Sequence, residues 1–88
     1  MTVEERIAWA KRQVSSADVI NLRIIKLLSL RDRSCDDEFI LEVGASEAEV
    51  VHRLRLMKGC GLVKNAGSWE DPIILCRDVL EGWLEEET

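Results

Sequence analysis

His52 is the only histidine of the chain and its first candidate for chemistry. An imidazole can act as a general base, but it needs a nucleophile beside it, and no serine or cysteine is placed recognisably to serve His52. No glycine-rich phosphate loop is present either, because Gly59-Cys60-Gly61 is typical of a helix stop. The sequence therefore predicts that the chain is not an enzyme and that His52 lies at the surface or contacts a phosphate or a base.

The three cysteines, Cys35, Cys60 and Cys76, could ligate a metal or form a redox pair. They are widely spaced and form no C-x-x-C or C-x-C motif, which excludes a zinc knuckle and a redox dithiol. We expect Cys60 and Cys76 to act as small buried hydrophobic residues. Free thiols are typical of a reducing compartment, so the sequence predicts a cytoplasmic protein.

Composition and length narrow the class of protein. With 88 residues, 47% of them hydrophobic and 33% charged, the chain is predicted to form a single soluble domain over residues 1–88. No apolar run approaches the roughly 20 residues needed to cross a bilayer. The charged start 1–6 does not resemble a signal peptide, so we expect no membrane partner.

Charge is distributed unevenly along the chain, whose net charge is −5. Acidic residues gather at 36–42 and again at 78–87, whereas the stretch 46–64 carries an excess of basic ones. These basic residues are Arg53, Arg55, Lys58 and Lys64. A net-negative chain is repelled by phosphate at long range, yet such a strip can still dock on nucleic acid.

Capping signals predict five helices. The pairs, three residues apart, are Thr2/Glu5, Ser15/Asp18, Ser34/Asp37, Ser46/Glu49 and Asp78/Glu81. The corresponding helices are expected over residues 3–14, 16–31, 35–42, 47–59 and 79–86. The second is so rich in aliphatic residues that we expect it to be covered on most sides, whereas Gly82 should weaken the last.

The middle of the chain predicts a helix-turn-helix over residues 34–60. Gly44 supplies the permissive backbone that ends the first helix, and Ser46 caps the second. The inward residues are expected to be Phe39, Ile40, Val43, Val50, Leu54 and Met57. A two-stranded hairpin follows at 62–76, with strands at 62–64 and 73–76. The fold class is therefore mainly α with a small β-hairpin, in the order α-α-α-α-β-β-α, flanked by an N-terminal helix within 1–15 and a C-terminal helix within 77–88.

This order is that of a winged helix-turn-helix, and the residues from Ser46 to Val63 resemble the recognition helix of ArsR-type repressors. Those proteins have a serine cap, a helix that ends in a small residue and glycine, and then Leu-Val at the start of the wing. The run 22–28 is similar to their core helix. The resemblance covers residues 18–76 and extends to MarR-type and other prokaryotic winged helices.

The resemblance implies a DNA-binding transcription regulator with helix 47–59 in the major groove. The DNA-binding residues it implies are Ser46, Glu47, His52, Arg53, Arg55, Lys58 and Lys64. Glu47 departs from the usual polar contacts, and the hairpin loop carries Glu70 and Asp71 but no basic residue. The family often senses metals, but Cys35 stands alone at the expected place, so we predict no metal and no cofactor.

The resemblance also implies a homodimer held by the first and last helices. The expected interface residues are Trp9, Trp83 and Leu84. A second interpretation remains open: a winged helix that binds a protein in a transcription, replication or viral assembly, with little or no DNA contact. On that interpretation Trp69, near the hairpin tip, and the acidic surfaces would meet a basic partner.

Overall fold

The structure, a computed structural model, describes residues 2–65, 67–68 and 70–85. Within these ranges the chain forms five helices and two short strands. They are α1 (Val3–Gln13), α2 (Val19–Leu30), α3 (Asp37–Val43), α4 (Glu47–Gly59), β1 (Val63–Lys64), β2 (Ile74–Leu75) and α5 (Arg77–Leu84). The prediction of a mainly helical chain with a hairpin after the fourth helix is confirmed. No helix among the described residues has the length and apolar character required to cross a membrane.

Two of the five predicted caps begin their helices as expected. Thr2 and Glu5 form a reciprocal capping box at the start of α1, in which the Thr2 hydroxyl accepts from the Glu5 backbone N–H. The Ser46 hydroxyl accepts from the Glu49 N–H at 3.2 Å and begins α4. Both helices therefore start at the residues that the sequence indicates.

The cap predicted at Ser15 is wrong, because α2 begins three residues later. The Asp18 carboxylate accepts from the backbone N–H groups of Ile20 and Asn21, whereas the Ser15 hydroxyl accepts from Ala17 N–H in the preceding turn. Asp18 is therefore the cap itself rather than the partner of one.

The caps predicted at Ser34 and Asp78 are also wrong. Asp36 caps α3 by accepting from Phe39 N–H, while the Ser34 hydroxyl donates to the carbonyl of Glu70. Helix α5 starts after Cys76, which makes no side-chain capping bond. Both helices consequently begin at positions other than the predicted 35 and 79.

The core joins all five helices and both strands. Its fully buried large side chains include Ile24, Leu28, Phe39, Val43, Val50, Leu54, Met57, Leu62, Ile73, Val79 and Trp83. Helix α2 packs through one face, and its other side leaves Val19, Leu22 and Leu30 exposed. The expectation that α2 is covered on most sides is therefore wrong, since an aliphatic-rich sequence does not show whether other elements cover each face.

The hairpin is shorter than predicted but has a neighbour on its other side. Val63 pairs with Leu75 and Lys64 with Ile74 in antiparallel register. An isolated antiparallel bridge joins Arg33 to Ile73, whose N–H donates to the Arg33 carbonyl at 2.7 Å. The segment that precedes α3 therefore lies beside the second strand and ties the hairpin to the helices.

Helices α1 and α5 approach each other closely at Gly82. A Cβ built on Gly82 would lie 2.3 Å from Cδ1 of Ile7, so no larger residue fits unless Ile7 moves. The glycine that was expected only to weaken α5 thus permits its contact with α1. Trp83 follows it in the core, and its indole N–H donates to the Val14 carbonyl at 2.8 Å.

Candidate nucleic-acid interface

The turn between α3 and α4 fixes the position of α4 in the structure. Gly44 has φ of 79°, in the left-handed region, and its N–H closes α3 on the Ile40 carbonyl at 3.1 Å. Ser46 then starts α4 after only two linking residues. The inward residues are as predicted: Phe39, Val43, Val50, Leu54 and Met57 are buried and Ile40 is half-buried.

Helix α4 presents an uncovered outer face. Its exposed residues include Glu47, Ala48, His52, Arg55 and Lys58, while Val51 is half-buried. Lys64 is exposed on β1, shortly after the helix ends. Acidic side chains therefore mark the N-terminal end of this face, and basic side chains mark its C-terminal end and the adjoining strand.

Arg53 does not belong to that exposed face, which corrects its assignment as a DNA contact. Its guanidinium forms ion pairs with Asp18 at 2.8 Å and with Glu49 at 3.1 Å, and donates to Oδ1 of Asn21 at 3.0 Å. Asn21 in turn donates to the Ser15 carbonyl at 3.1 Å. Arg53 therefore links α4 to the start of α2, and both of its terminal nitrogens bond inside the protein, whereas its buried Nε has no hydrogen-bond partner within the described residues.

The ionisation of this cluster follows from its contacts. The hydrogen bond to Asp18 raises the pKa of Arg53 above its ordinary value, with a smaller contribution from Glu49. The same bond, helped by the N–H groups of Ile20 and Asn21, lowers the pKa of Asp18. Both partners are therefore charged at neutral pH.

The N-terminal end of α4 is less suited to phosphate. The Ser46 hydroxyl is occupied as acceptor for Glu49 N–H, although its own proton remains available. Glu47 is exposed and forms no ion pair with the described part of the chain. Its charge favours the helix N-terminus but repels a phosphate backbone.

The residues predicted to form a dimer interface lie in different surroundings. Trp83 is 0% exposed, so it packs in the core and cannot reach a second copy; its assignment to the interface is wrong. Trp9 is 42% exposed beneath the Arg12 guanidinium, whose central carbon lies 5.5 Å from the ring centre. Leu84, at the end of α5, is 51% exposed.

Trp9 and Leu84 do not lie on the same side of the pair formed by α1 and α5. Trp9 lies two positions after Ile7, about 200° around α1, and Ile7 is the residue that meets α5 at Gly82. Trp9 therefore faces away from α5, to which Leu84 belongs. Trp69, the predicted protein contact, lies outside the described residues.

The three cysteines are free thiols, of which Cys60 is buried and Cys35 and Cys76 are half-buried. Burial raises the pKa of the Cys60 thiol, and burial together with the charges of Glu47 and Asp36 raises that of Cys35. Across residues 2–65, 67–68 and 70–85, no three His, Cys, Asp or Glu side chains form a group that could hold a metal ion. Cys35 and Cys60 are thus protonated at neutral pH, and neither is an activated nucleophile.

Comparisons with known proteins give no relative: no family model, curated protein or solved structure matches the chain. Function must therefore be inferred from the surface itself. Sequence reasoning missed Asp18 and Asn21 as the residues that hold Arg53. The one available signal was the capping potential of Asp18, which placed it at a helix start but gave no indication of a partner on α4.

Proposed function

We propose that the chain is a winged-helix domain that binds double-stranded DNA through the outer face of α4 and acts as a transcription regulator. The observation that supports this best is the uncovered face of α4, which joins His52, Arg55 and Lys58 on a helix held from behind by three buried side chains. A helix of this diameter fits the major groove. The hairpin and the strand-like segment at Arg33 support the winged-helix assignment.

Each basic side chain has a role in this docking. Arg55 and Lys58 lie toward the C-terminal end of α4 and would meet phosphates, as would Lys64 on the strand that follows. His52 lies nearer the centre of the face and would reach a base edge or a phosphate. Arg53 positions the helix by binding Asp18, and Glu47 would restrict how deeply the N-terminal end enters the groove.

The electrostatics favour weak binding. Three phosphate contacts correspond to a slope of about −2.7 in a plot of log K against log salt. The net charge of −5 opposes association at long range. We therefore expect non-specific dissociation constants near the weak end of the usual range, about 10⁻⁴ M at physiological salt.

We also propose that the protein forms a homodimer and is located in the cytoplasm. A homodimer would place two α4 helices on successive major grooves and double the number of phosphate contacts. With Trp83 in the core, Trp9 and Leu84 are the two predicted interface residues that remain exposed, each on its own surface. The free thiols favour the reducing environment of the cytoplasm.

Fluorescence anisotropy of a labelled duplex, titrated with protein from low to physiological salt, tests DNA binding. We expect Arg55→Ala and Lys64→Ala each to weaken binding and to reduce the salt slope by about 1. Lys26→Ala is the matched control: it removes an exposed cation from α2, on the side of that helix away from Asn21 and hence from Arg53. It should leave the slope unchanged.

Two results would overturn DNA binding. One is a failure of the wild-type protein to bind any duplex at low salt. The other is an equal loss in Arg55→Ala and Lys26→Ala, since that would mean attraction to total charge rather than to the face of α4. Sedimentation of Trp9→Ala and Leu84→Ala in parallel shows whether either residue supports a dimer.

A further inference from the structure

An open groove of about 450 Å³ lies between α3 and the start of α4. Its lining residues are Asp37, Ile40, Leu41, Gly44, Ala45 and Glu47. Leu41 is 81% exposed, while Ile40 and Ala45 are half-buried and form an apolar floor continuous with the core. A single exposed leucine is ordinary, but here it stands at the edge of a concave apolar surface.

The groove has an acidic rim whose charges are not neutralised. Asp37 and Glu47 line it, and neither they nor the neighbouring Glu38 forms an ion pair within the described residues. Elsewhere several carboxylates are paired with arginines. These are Asp18 and Glu49 with Arg53, Glu42 with Arg33, and Asp78 with Arg6. The rim thus holds carboxylates that form no ion pair within the described residues, and the nearest guanidinium shown is that of Arg23, which donates to the Val43 carbonyl at 3.4 Å and lies beside Gly44.

The negative field extends to a neighbouring side chain. Cys35 is half-buried beside α3, and after burial itself the charges of Glu47 and Asp36 are the causes that raise its pKa. Asp36, the N-cap of α3, and Glu47, the first residue of α4, therefore both act on this thiol, and of the two only Glu47 lines the groove.

The acidic rim and the apolar floor together indicate which class of molecule can bind in the groove. Nucleic acid is excluded because phosphates would meet Asp37 and Glu47. A second copy of the chain that met this groove through the same face would bring two acidic rims together, and the like charges disfavour such a closed dimer. A basic segment with an aliphatic side chain matches both the charge and the apolar floor.

We propose that this groove binds a peptide segment of another protein, with a leucine-like side chain seated against Leu41 and Ile40 and flanking lysines or arginines facing Asp37 and Glu47. The site does not depend on DNA binding, since Glu47 and Arg55 lie about 12 Å apart along α4. A regulator could therefore hold DNA with one end of α4 and a protein partner with the other.

The test uses a fluorescent amphipathic peptide of alternating leucine and lysine character, titrated with the full chain and followed by anisotropy. We expect Leu41→Ala to weaken binding about tenfold, the equivalent of about 1.4 kcal/mol. Glu47→Gln should weaken it about threefold, as for an exposed charge pair. The matched controls are Leu30→Ala, which removes an equally exposed leucine from α2, and Glu81→Gln on α5; neither should change binding.

Each possible result decides the proposal. Equal losses in Leu41→Ala and Leu30→Ala, or no binding of the lysine peptide, would overturn it. So would equal binding of a leucine–glutamate peptide, because charge would then have no role. Self-association that Leu41→Ala abolishes would also overturn it, in favour of a second copy. Arg55→Ala should leave peptide binding unchanged, so failure of the DNA proposal and failure of this one are distinguishable.

Discussion

Helices α5 and α4 are held in place by different means. Helix α5 is anchored by Trp83, which is fully buried and donates to the Val14 carbonyl, and by a backbone approach to α1 that only Gly82 permits. Helix α4 also has a buried face, but its side toward α2 is held by the ion pair of Arg53 with Asp18 and by its hydrogen bond to Asn21. One anchor is apolar and closely packed, whereas the other is partly ionic and borders solvent.

The difference explains which surfaces remain available. Tight packing of α1 against α5 places Trp83 inside and leaves little of that contact for a partner. On α4 the ionic anchor occupies only the edge that faces α2, so the opposite surface retains Arg55 on one end and the Leu41 groove beside the other. The three substitutions below, from the largest expected effect to the smallest, test this contrast.

Trp83→Ala should cause the largest loss of stability. Removing a fully buried indole costs about 3–5 kcal/mol, and it also leaves the Val14 carbonyl without its donor. That is a large part of the total stability of a small domain. Chemical denaturation followed by circular dichroism measures it as a fall in the transition midpoint.

Trp9→Ala is the matched control on the neighbouring helix. Since Trp9 is half exposed and contacts Arg12 through its ring, the expected cost is about 1 kcal/mol or less. Similar losses in the two variants would contradict the placement of Trp83 in the core and return it to the surface.

Arg53→Ala should have an intermediate effect that depends on pH. Loss of its contacts to Asp18, Glu49 and Asn21 is expected to cost about 1–2 kcal/mol at pH 7. Because the pKa of Asp18 is lowered in the folded protein, its contribution is present above its unfolded value of about 3.9 and is lost as the pH falls through the folded value. Arg53 itself stays charged throughout.

Thermal unfolding between pH 7 and pH 3 measures this dependence. The difference between the melting temperatures of the wild-type protein and Arg53→Ala should begin to narrow once the pH falls below about 3.9, where Asp18 of the unfolded chain becomes protonated. Arg55→Ala, two residues along the same helix but exposed, should stay close to the wild type at every pH. A constant gap for Arg53→Ala down to pH 3 would show that its packing, not its charge, holds α4.

The sequence predicted local features of this arrangement better than distant ones. Five helices, the caps at Thr2 and Ser46 and the hairpin follow from neighbouring residues, and the structure has them. A capping pair is ambiguous where either member can act as the N-cap. At the start of α2 an aspartate caps as well as a serine does, and Asp18 lies nearer the aliphatic run than Ser15.

The site was harder to predict because its key contact is distant in sequence. Arg53 and Asn21 are 32 residues apart, so spacing alone gave no sign that Arg53 is withdrawn from the basic strip. The exposed groove at Leu41 depends on how α3 lies against α4, which periodicity does not show. Trp83 was predicted to lie at a dimer interface, and only its surroundings in the fold show that it belongs to the core.

Gly82→Ala should have the smallest effect of the three, and its sign tests the close approach of α1 and α5. Alanine gains about 1 kcal/mol in helix propensity, but its Cβ must displace Ile7, and overpacking costs about 1–3 kcal/mol. We therefore expect a net loss of about 1 kcal/mol. Gly59→Ala is the control, since nothing lies within 4 Å of its Cβ position and the change should stabilise α4 by about 0.5 kcal/mol. Denaturation midpoints that rise in both variants would mean that the Ile7 side chain moves aside at little cost. In that case Trp83 alone would hold α5 against α1.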